Sequence, residues 1–258
     1  MRATPRLAFL CALAAPAGAT TLADVQACMQ KNAPTQALVQ TVALVSTDRG
    51  GGERRYEAEV LAKRTQGGLG RVLVRVAEPP DVRGTSVLLH QKEDGKNDLY
   101  VYLPELRKVR RITSRTLRGK FLGSDFSYED LDRLLAASRQ ADAKLGAEAS
   151  KDGRKVWTVE AAPSAEAGSA YTRIVSSVDQ ETCLPLEIAF YGKGEQPEKV
   201  LTVDPARITK EGAAHVPRLV RMRDVKRGTE SRLETSAVEL DPALEDAVFS
   251  VGALERGR

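Results

Sequence analysis

Residues that usually perform chemistry are scarce in this chain. In 258 residues there are two histidines, three cysteines and one tryptophan, and aromatics make up only 5%. His90 and His215 lie far apart. Neither falls in an H-E-x-x-H segment or at a Cys/His spacing that holds zinc. The nucleophile turn of a serine hydrolase, G-x-S-x-G, does not occur. Gly67-Gly68-Leu69-Gly70 lacks a following G-K-[ST] and makes a poor phosphate loop. So few aromatics disfavour a stacking platform for single-stranded nucleic acid. After the first residues, no apolar run is long enough to cross a bilayer as a helix. These absences predict no catalytic centre, no metal, no cofactor and no nucleic-acid partner.

The N-terminus carries an address. Arg2 and Arg6 precede the uncharged run Leu7–Ala15, and Ala17 and Ala19 form an A-x-A arrangement after Pro16. That pattern predicts a secretory signal over 1–19 and an exported domain over 20–258. Pro16 and Gly18 interrupt the alternative, an N-terminal helix of the fold. Cys11 stands too early, behind the bulky Phe9-Leu10, for lipidation. Without Arg2 and Arg6 the formal charge of +4 drops by two, so only local charge carries meaning. Cys28 and Cys183 remain. In an oxidising compartment they can pair, and two buried thiols are the alternative.

The rest of the chain reads as β-rich. One helix is expected over Leu22–Asn32. Strands are then expected over Gln40–Thr47, Arg54–Arg64, Arg71–Ala77, Thr85–Gln91, Asp98–Leu103 and Arg107–Thr113. In the second of these, Tyr56, Ala58, Val60 and Ala62 share a face, with Leu61 the exception. In the third, Val72, Val74 and Val76 share one face, and Leu73 sits with Arg71 and Arg75 on the other. Half-buried antiparallel strands alternate in this way. Glu93–Asn97 is a hairpin signal. A helix follows over Ser127–Arg139. Further strands are expected near Ala141–Ser150, Lys155–Ala161, Tyr171–Val178, Leu184–Tyr191, Lys199–Val203, Val216–Arg223 and Leu233–Glu239. Pro163–Ser169 reads as a loop and Ala243–Phe249 as a short helical turn. Many short strands with few helices imply one curved antiparallel sheet or barrel in a single domain.

Two segments stand out. In Gly123–Leu131, GSDFSYEDL, Gly123 permits a turn, and Ser127 with Asp130 forms a capping box. Asp125, Glu129, Asp130 and Asp132 gather at this helix start, where the dipole favours negative charge. A glycosidase-like carboxylate pair is the other reading. Leu131, Leu134 and Leu135 share a face, and Phe121, Leu122 and Phe126 need an apolar surface. The helix is either ordinary core plugging a curved sheet or a lid over a cavity. The second segment, residues 107–120, holds Arg107, Lys108, Arg110, Arg111, Arg115, Arg118 and Lys120. It is either a solvated hairpin or a contact for anionic headgroups or an acidic partner.

The segments AEPPDVRGTSVLL, DLYVYLPELRKVRRI, FLGSDFSYEDL, DQETCLPLEIAFYGKGEQPEKVL and ALEDAVFSVGALERG together resemble the LolA-like outer membrane lipoprotein-sorting protein family over nearly the whole exported chain. The resemblance implies a mainly β fold, an unclosed antiparallel β-barrel of the LolA/LolB kind wrapping around a few α-helices. It also implies a non-catalytic periplasmic carrier of lipid or lipoprotein acyl chains, some relatives working with RND/MMPL-type transporters. A sensor or adaptor that docks a membrane protein through the basic hairpin is the second reading. Alternation and the resemblance together nominate a lipid-binding set. From the early strands come Tyr56, Val60, Val72, Val74 and Val76, and from the later strands Trp157, Val159, Leu186 and Ile188. Phe121, Phe126, Leu131 and Leu134 come from the helix side. Arg107, Arg110, Arg111, Arg115 and Arg118 are the headgroup or partner candidates, and Cys28 with Cys183 the disulfide candidate.

Overall fold

A computed structural model of the chain describes residues 19–33, 36–94, 97–136, 143–163 and 168–256. The expected signal over 1–19, Cys11, Gly95-Lys96 of the expected turn and the 137–139 end of the expected helix lie outside these residues, apart from Ala19. So do 141–142, 164–167 and the side chain of Leu135.

Helix α1 (Leu22–Gln30) starts at Thr21, whose Oγ1 accepts from Asp24 N at 3.2 Å while Asp24 Oδ2 accepts from Thr21 N at 2.9 Å. This reciprocal cap satisfies two orphan donors. A first meander follows: β1 (Ala37–Thr47), β2 (Glu53–Arg64), β3 (Gly70–Glu78), β4 (Ser86–His90), β5 (Asp98–Leu103) and β6 (Lys108–Arg111). Helix α2 (Tyr128–Ala136) comes next. Then come β7 (Ala143–Lys151), β8 (Arg154–Ala161), β9 (Arg173–Asp179), β10 (Pro185–Tyr191) and β11 (Lys199–Val203). A small hairpin, β12 (Ile208–Glu211) with β13 (Ala214–Pro217), precedes β14 (Leu219–Asp224) and β15 (Thr229–Leu240), and α3 (Val251–Arg256) ends the fold.

Thirteen of these strands form one sheet in the order β6-β5-β4-β3-β2-β1-β15-β14-β11-β10-β9-β8-β7. All its pairings are antiparallel. The two meanders are stitched in the middle, where Leu44 faces Leu233, and the edges β6 and β7 do not pair with each other. The sheet is therefore an unclosed barrel. Its topology also explains the plug. The chain leaves one edge at β6 and must rejoin the sheet at the opposite edge, β7, and the connection runs across the concave opening.

Each face has its own core. On the concave face Leu44 lies beside Tyr56, Val60 beside Val74, Val74 beside Val87, and Leu201 between Ile188 and Met222. On the convex face the row Leu61, Leu73, Leu88 and Tyr100 is covered by Phe249 and Leu254. Leu61 and Leu73, the residues that spoiled the expected alternation, are buried by this C-terminal strap. Lys63 Nζ donates to Leu244 O at 2.5 Å and His90 Nε2 meets Phe249 O at 2.6 Å, fixing it there.

One local reading needs correction. The single strand expected over Val216–Arg223 is two strands, β13 and β14, because Pro217 has no N–H to continue a ladder; the hairpin partner β12 was not expected at all. The turn expected at Ala243–Phe249 is a 3-10 turn at Asp246–Phe249, followed by α3, whose start is capped by Ser250 Oγ accepting from Ala253 N at 3.2 Å.

Candidate functional site

The site is built by the connection over the opening. Gly123 at φ +72° and Leu122 at φ +51° reverse the chain, a left-handed pairing that glycine eases. Ser127 then caps α2: its N donates to Asp130 Oδ2 at 2.7 Å and its Oγ accepts from Asp130 N at 3.2 Å. Below this turn Phe121 and Phe126 are buried against Tyr56, Val72, Val76, Leu186 and Ile188, with Val60, Val74, Leu131 and Leu134 half-buried around them. Burying each such side chain contributes about 1.5–3 kcal/mol. Thus eleven of the nominated apolar residues meet in one cluster. Trp157 and Val159 join a different cluster, with Val25 of α1, Ala161 and Val178. Val159 also lines the cleft where α1 and α2 approach.

The carboxylates of this segment are anchors. Asp125 accepts from Thr229 Oγ1 at 2.7 Å and Ser231 Oγ at 2.8 Å, both on β15, with Lys120 at 3.4 Å. Glu129, fully buried, accepts from Ala170 N at 2.9 Å and from the Ser169 hydroxyl. Asp130, also fully buried, accepts from Tyr171 Oη at 2.6 Å and Lys199 Nζ at 2.6 Å. Asp132 accepts from Asn97 Nδ2 at 2.8 Å. Burial, and the Asp130 carboxylate beside it, push the Tyr171 phenol far above its usual range, so it remains a donor. Burial raises the Asp132 carboxyl, against the lowering effect of Asn97. Buried charges are tolerated only when paired and hydrogen-bonded, and here the partners belong to widely separated strands and loops. Among the described residues no cluster of three His, Cys, Asp or Glu suits a metal ion.

Little room is left beneath. The space among Gln26, Met29, Arg133, Leu134, Val159, Ile174, Ile188 and Phe190 is about 20 Å³, enough for one water. Arg133 stands at this cleft, its buried Nε 3.8 Å from Glu129 and without a hydrogen bond. A disulfide joins Cys28 to Cys183 with Cα atoms 5.4 Å apart, fastening α1 at the side of the cleft. Asn32 reinforces it, donating to Thr182 O and accepting from His215 N, each at 2.7 Å.

The basic candidates occupy the turn before β6, the β6 edge and the turns after it, and all five are exposed. Arg111 pairs with Asp98, and Arg118 Nη2 donates to Ser169 O at 2.9 Å. Arg107, Arg110 and Arg115 have no side-chain partner among the described residues. Leu106, beside them, is 45% exposed.

Sequence reasoning missed Tyr171, Lys199, Thr229, Ser231 and Asn97, the far ends of the anchors. They are single residues without a local motif. Ser231 offered one signal, a small polar residue ahead of the apolar alternation of the last strand, but that strand was expected to start only at Leu233.

A family model described as an uncharacterized protein matches residues 68–256. Solved structures match over most of the chain. One, described as an outer membrane lipoprotein-sorting protein domain from Vibrio parahaemolyticus, is 24% identical with a TM-score of 0.81, covering 92% of this chain and 98% of its own. A DUF1329 family protein from Desulfovibrio piger is 26% identical with a TM-score of 0.82, covering 90% and 97%. A LolA superfamily protein from Nitrosomonas europaea is 21% identical with a TM-score of 0.71, covering 91% and 100%. No functionally curated protein matches the chain.

Proposed function

We propose that the protein, a member of the uncharacterized family matched over residues 68–256 and built on a LolA-like fold, is a periplasmic carrier of lipid or lipoprotein acyl chains. One observation carries this reading. The concave face is apolar from β5 to β9, and what covers it is a crossing segment held by polar anchors rather than by strand pairing with the sheet. Such a cover can move aside without unzipping a ladder. An acyl chain that replaced Phe121, Phe126, Leu131 and Leu134 over the concave strands would gain about 0.8 kcal/mol per buried CH₂. No catalytic group is needed for that exchange, only an acceptor that competes for the chain. A leader over 1–19 and one domain over 20–258, with Cys28 and Cys183 paired, suit an oxidising compartment. Arg107, Arg110 and Arg115 on the β6 edge would face anionic headgroups at the donor or acceptor membrane.

The filled concave face supports a second reading, an adaptor whose own side chains occupy the groove and whose basic edge docks a membrane protein such as an RND/MMPL-type transporter. Native mass spectrometry with organic extraction of freshly purified protein separates the two. The carrier should hold an acyl-bearing mass, or take up a fluorescent fatty acid or lipopeptide. Neither copurified lipid nor uptake, in the wild type and in a variant with a loosened plug, would leave the adaptor.

A further inference from the structure

The convex side carries a second opening, away from the plug. It lies where Ala43, Arg55, Leu219, Glu234 and Ser236 neighbour one another, and its volume is about 210 Å³. Arg207 and Arg218, at the two ends of the β12–β13 hairpin, complete its wall. Three guanidinium groups and one carboxylate therefore share a small cleft.

Their partners are unevenly distributed. Glu234 is engaged twice, by Arg55 at 3.2 Å and by Arg232 at 2.9 Å. Arg55 is further held by Glu57 at 2.7 Å. Arg218 donates through Nε to Thr209 Oγ1 at 2.7 Å and through Nη2 to Glu211, but its Nη1 is buried without a partner. The Arg207 guanidinium is exposed and has no hydrogen bond or ion pair among the described residues. A buried donor left unsatisfied is a deficit that a ligand can remove. We propose that this cleft binds a phosphate group, free or as a phosphomonoester or headgroup, through Arg207 and Arg218. Guanidinium forks match oxyanions. Two of them arriving from separate segments suit a tetrahedral group with oxygens on several sides better than a planar carboxylate. The inference does not rest on the carrier reading, since the cleft and the concave groove are on opposite faces of the sheet.

Isothermal titration of the exported chain with inorganic phosphate and with glycerol 3-phosphate, against sodium chloride at equal ionic strength, tests it. A parallel arm uses vesicles containing phosphatidylglycerol. Saturable binding should weaken about tenfold in Arg207→Gln and at least as much in Arg218→Gln, and Arg223→Gln, an exposed arginine outside the cleft, should leave the soluble arm unchanged. Since the Arg207 side chain makes no hydrogen bond or ion pair among the described residues, its variant decides the matter even if Arg218→Gln disturbs the hairpin. Binding of the soluble probes assigns the site to small phosphates, and Arg207-dependent binding of vesicles alone assigns it to a lipid headgroup. No saturable binding in either arm, or binding indifferent to Arg207, overturns the proposal.

Discussion

Asp130→Asn tests the anchored plug most directly. The wild-type carboxylate receives three donors, Ser127 N, Tyr171 Oη and Lys199 Nζ, at 2.6–2.7 Å, and is fully buried. An asparagine of the same shape keeps one acceptor oxygen and turns an NH₂ toward the others. Breaking a buried ion pair by removing one partner costs about 3–5 kcal/mol, and Lys199 is only 14% exposed, so most of that penalty applies. A chain of this size loses about 2–4 °C per kcal/mol, giving a drop in Tm of about 6–20 °C. Lys199→Met should then recover part of it, with a coupling of about 1–3 kcal/mol in the double-mutant cycle. The assay has two readouts. Trp157, the sole tryptophan, lies under α1 and reports on the sheet, while a fluorescent fatty acid reports on the groove. If the anchors hold a removable cover, Asp130→Asn should raise probe uptake below its Tm with little change in Trp157 emission. A Tm loss under about 2 °C, or no coupling to Lys199, would refute the anchoring argument. Unfolding of sheet and plug together would refute their separability.

Further outcomes follow from the same geometry. Asp132 has a carboxyl raised by burial, so the folded state binds its proton more readily and stability falls as pH rises from about 4 through the raised value. Asp132→Asn should therefore raise Tm at pH 7 and leave it unchanged below about pH 4, as read by calorimetry across pH. Reducing the Cys28–Cys183 bond, whose ends are 155 residues apart, should destabilise the protein by up to roughly 5 kcal/mol on the chain-entropy model; two alkylatable thiols in unreduced, denatured protein would contradict the pairing. Replacing Arg107, Arg110 and Arg115 by Gln should weaken binding to anionic vesicles by about 1 kcal/mol per residue at low salt, an effect that salt should erase. Phe249→Ala should cost about 3–5 kcal/mol in urea unfolding, because the convex row has no other aromatic cover from the strap.

Much of the site was legible in single segments. The Ser127/Asp130 cap, the Gly123 turn and the shared face of Val72, Val74 and Val76 all depend on residues within a few positions of one another. The burial of the carboxylates was not legible. Seen locally, Glu129 and Asp130 are ordinary first-turn acids facing water; the structure takes both out of solvent altogether. Likewise Leu61 and Leu73 looked like flaws in alternation until the strap from residues 244–254 was placed on them.

The sequence by itself determined what the backbone settles at short range: which segments alternate, where turns reverse, how the helices begin, and that the resulting elements would make a mainly β fold. Rotamers, caps and pleats act within a few residues, so a linear reading captures them. Only the tertiary structure decided that β1 pairs with β15, leaving β6 and β7 as opposite free edges that the chain must bridge across the concave face. Only it gave Asp125 its partners on β15, over a hundred positions away, and Arg218 its incomplete set. Those outcomes depend on where the other strands lie. A buried charge is stable or costly according to what faces it, and no local pattern carries that information.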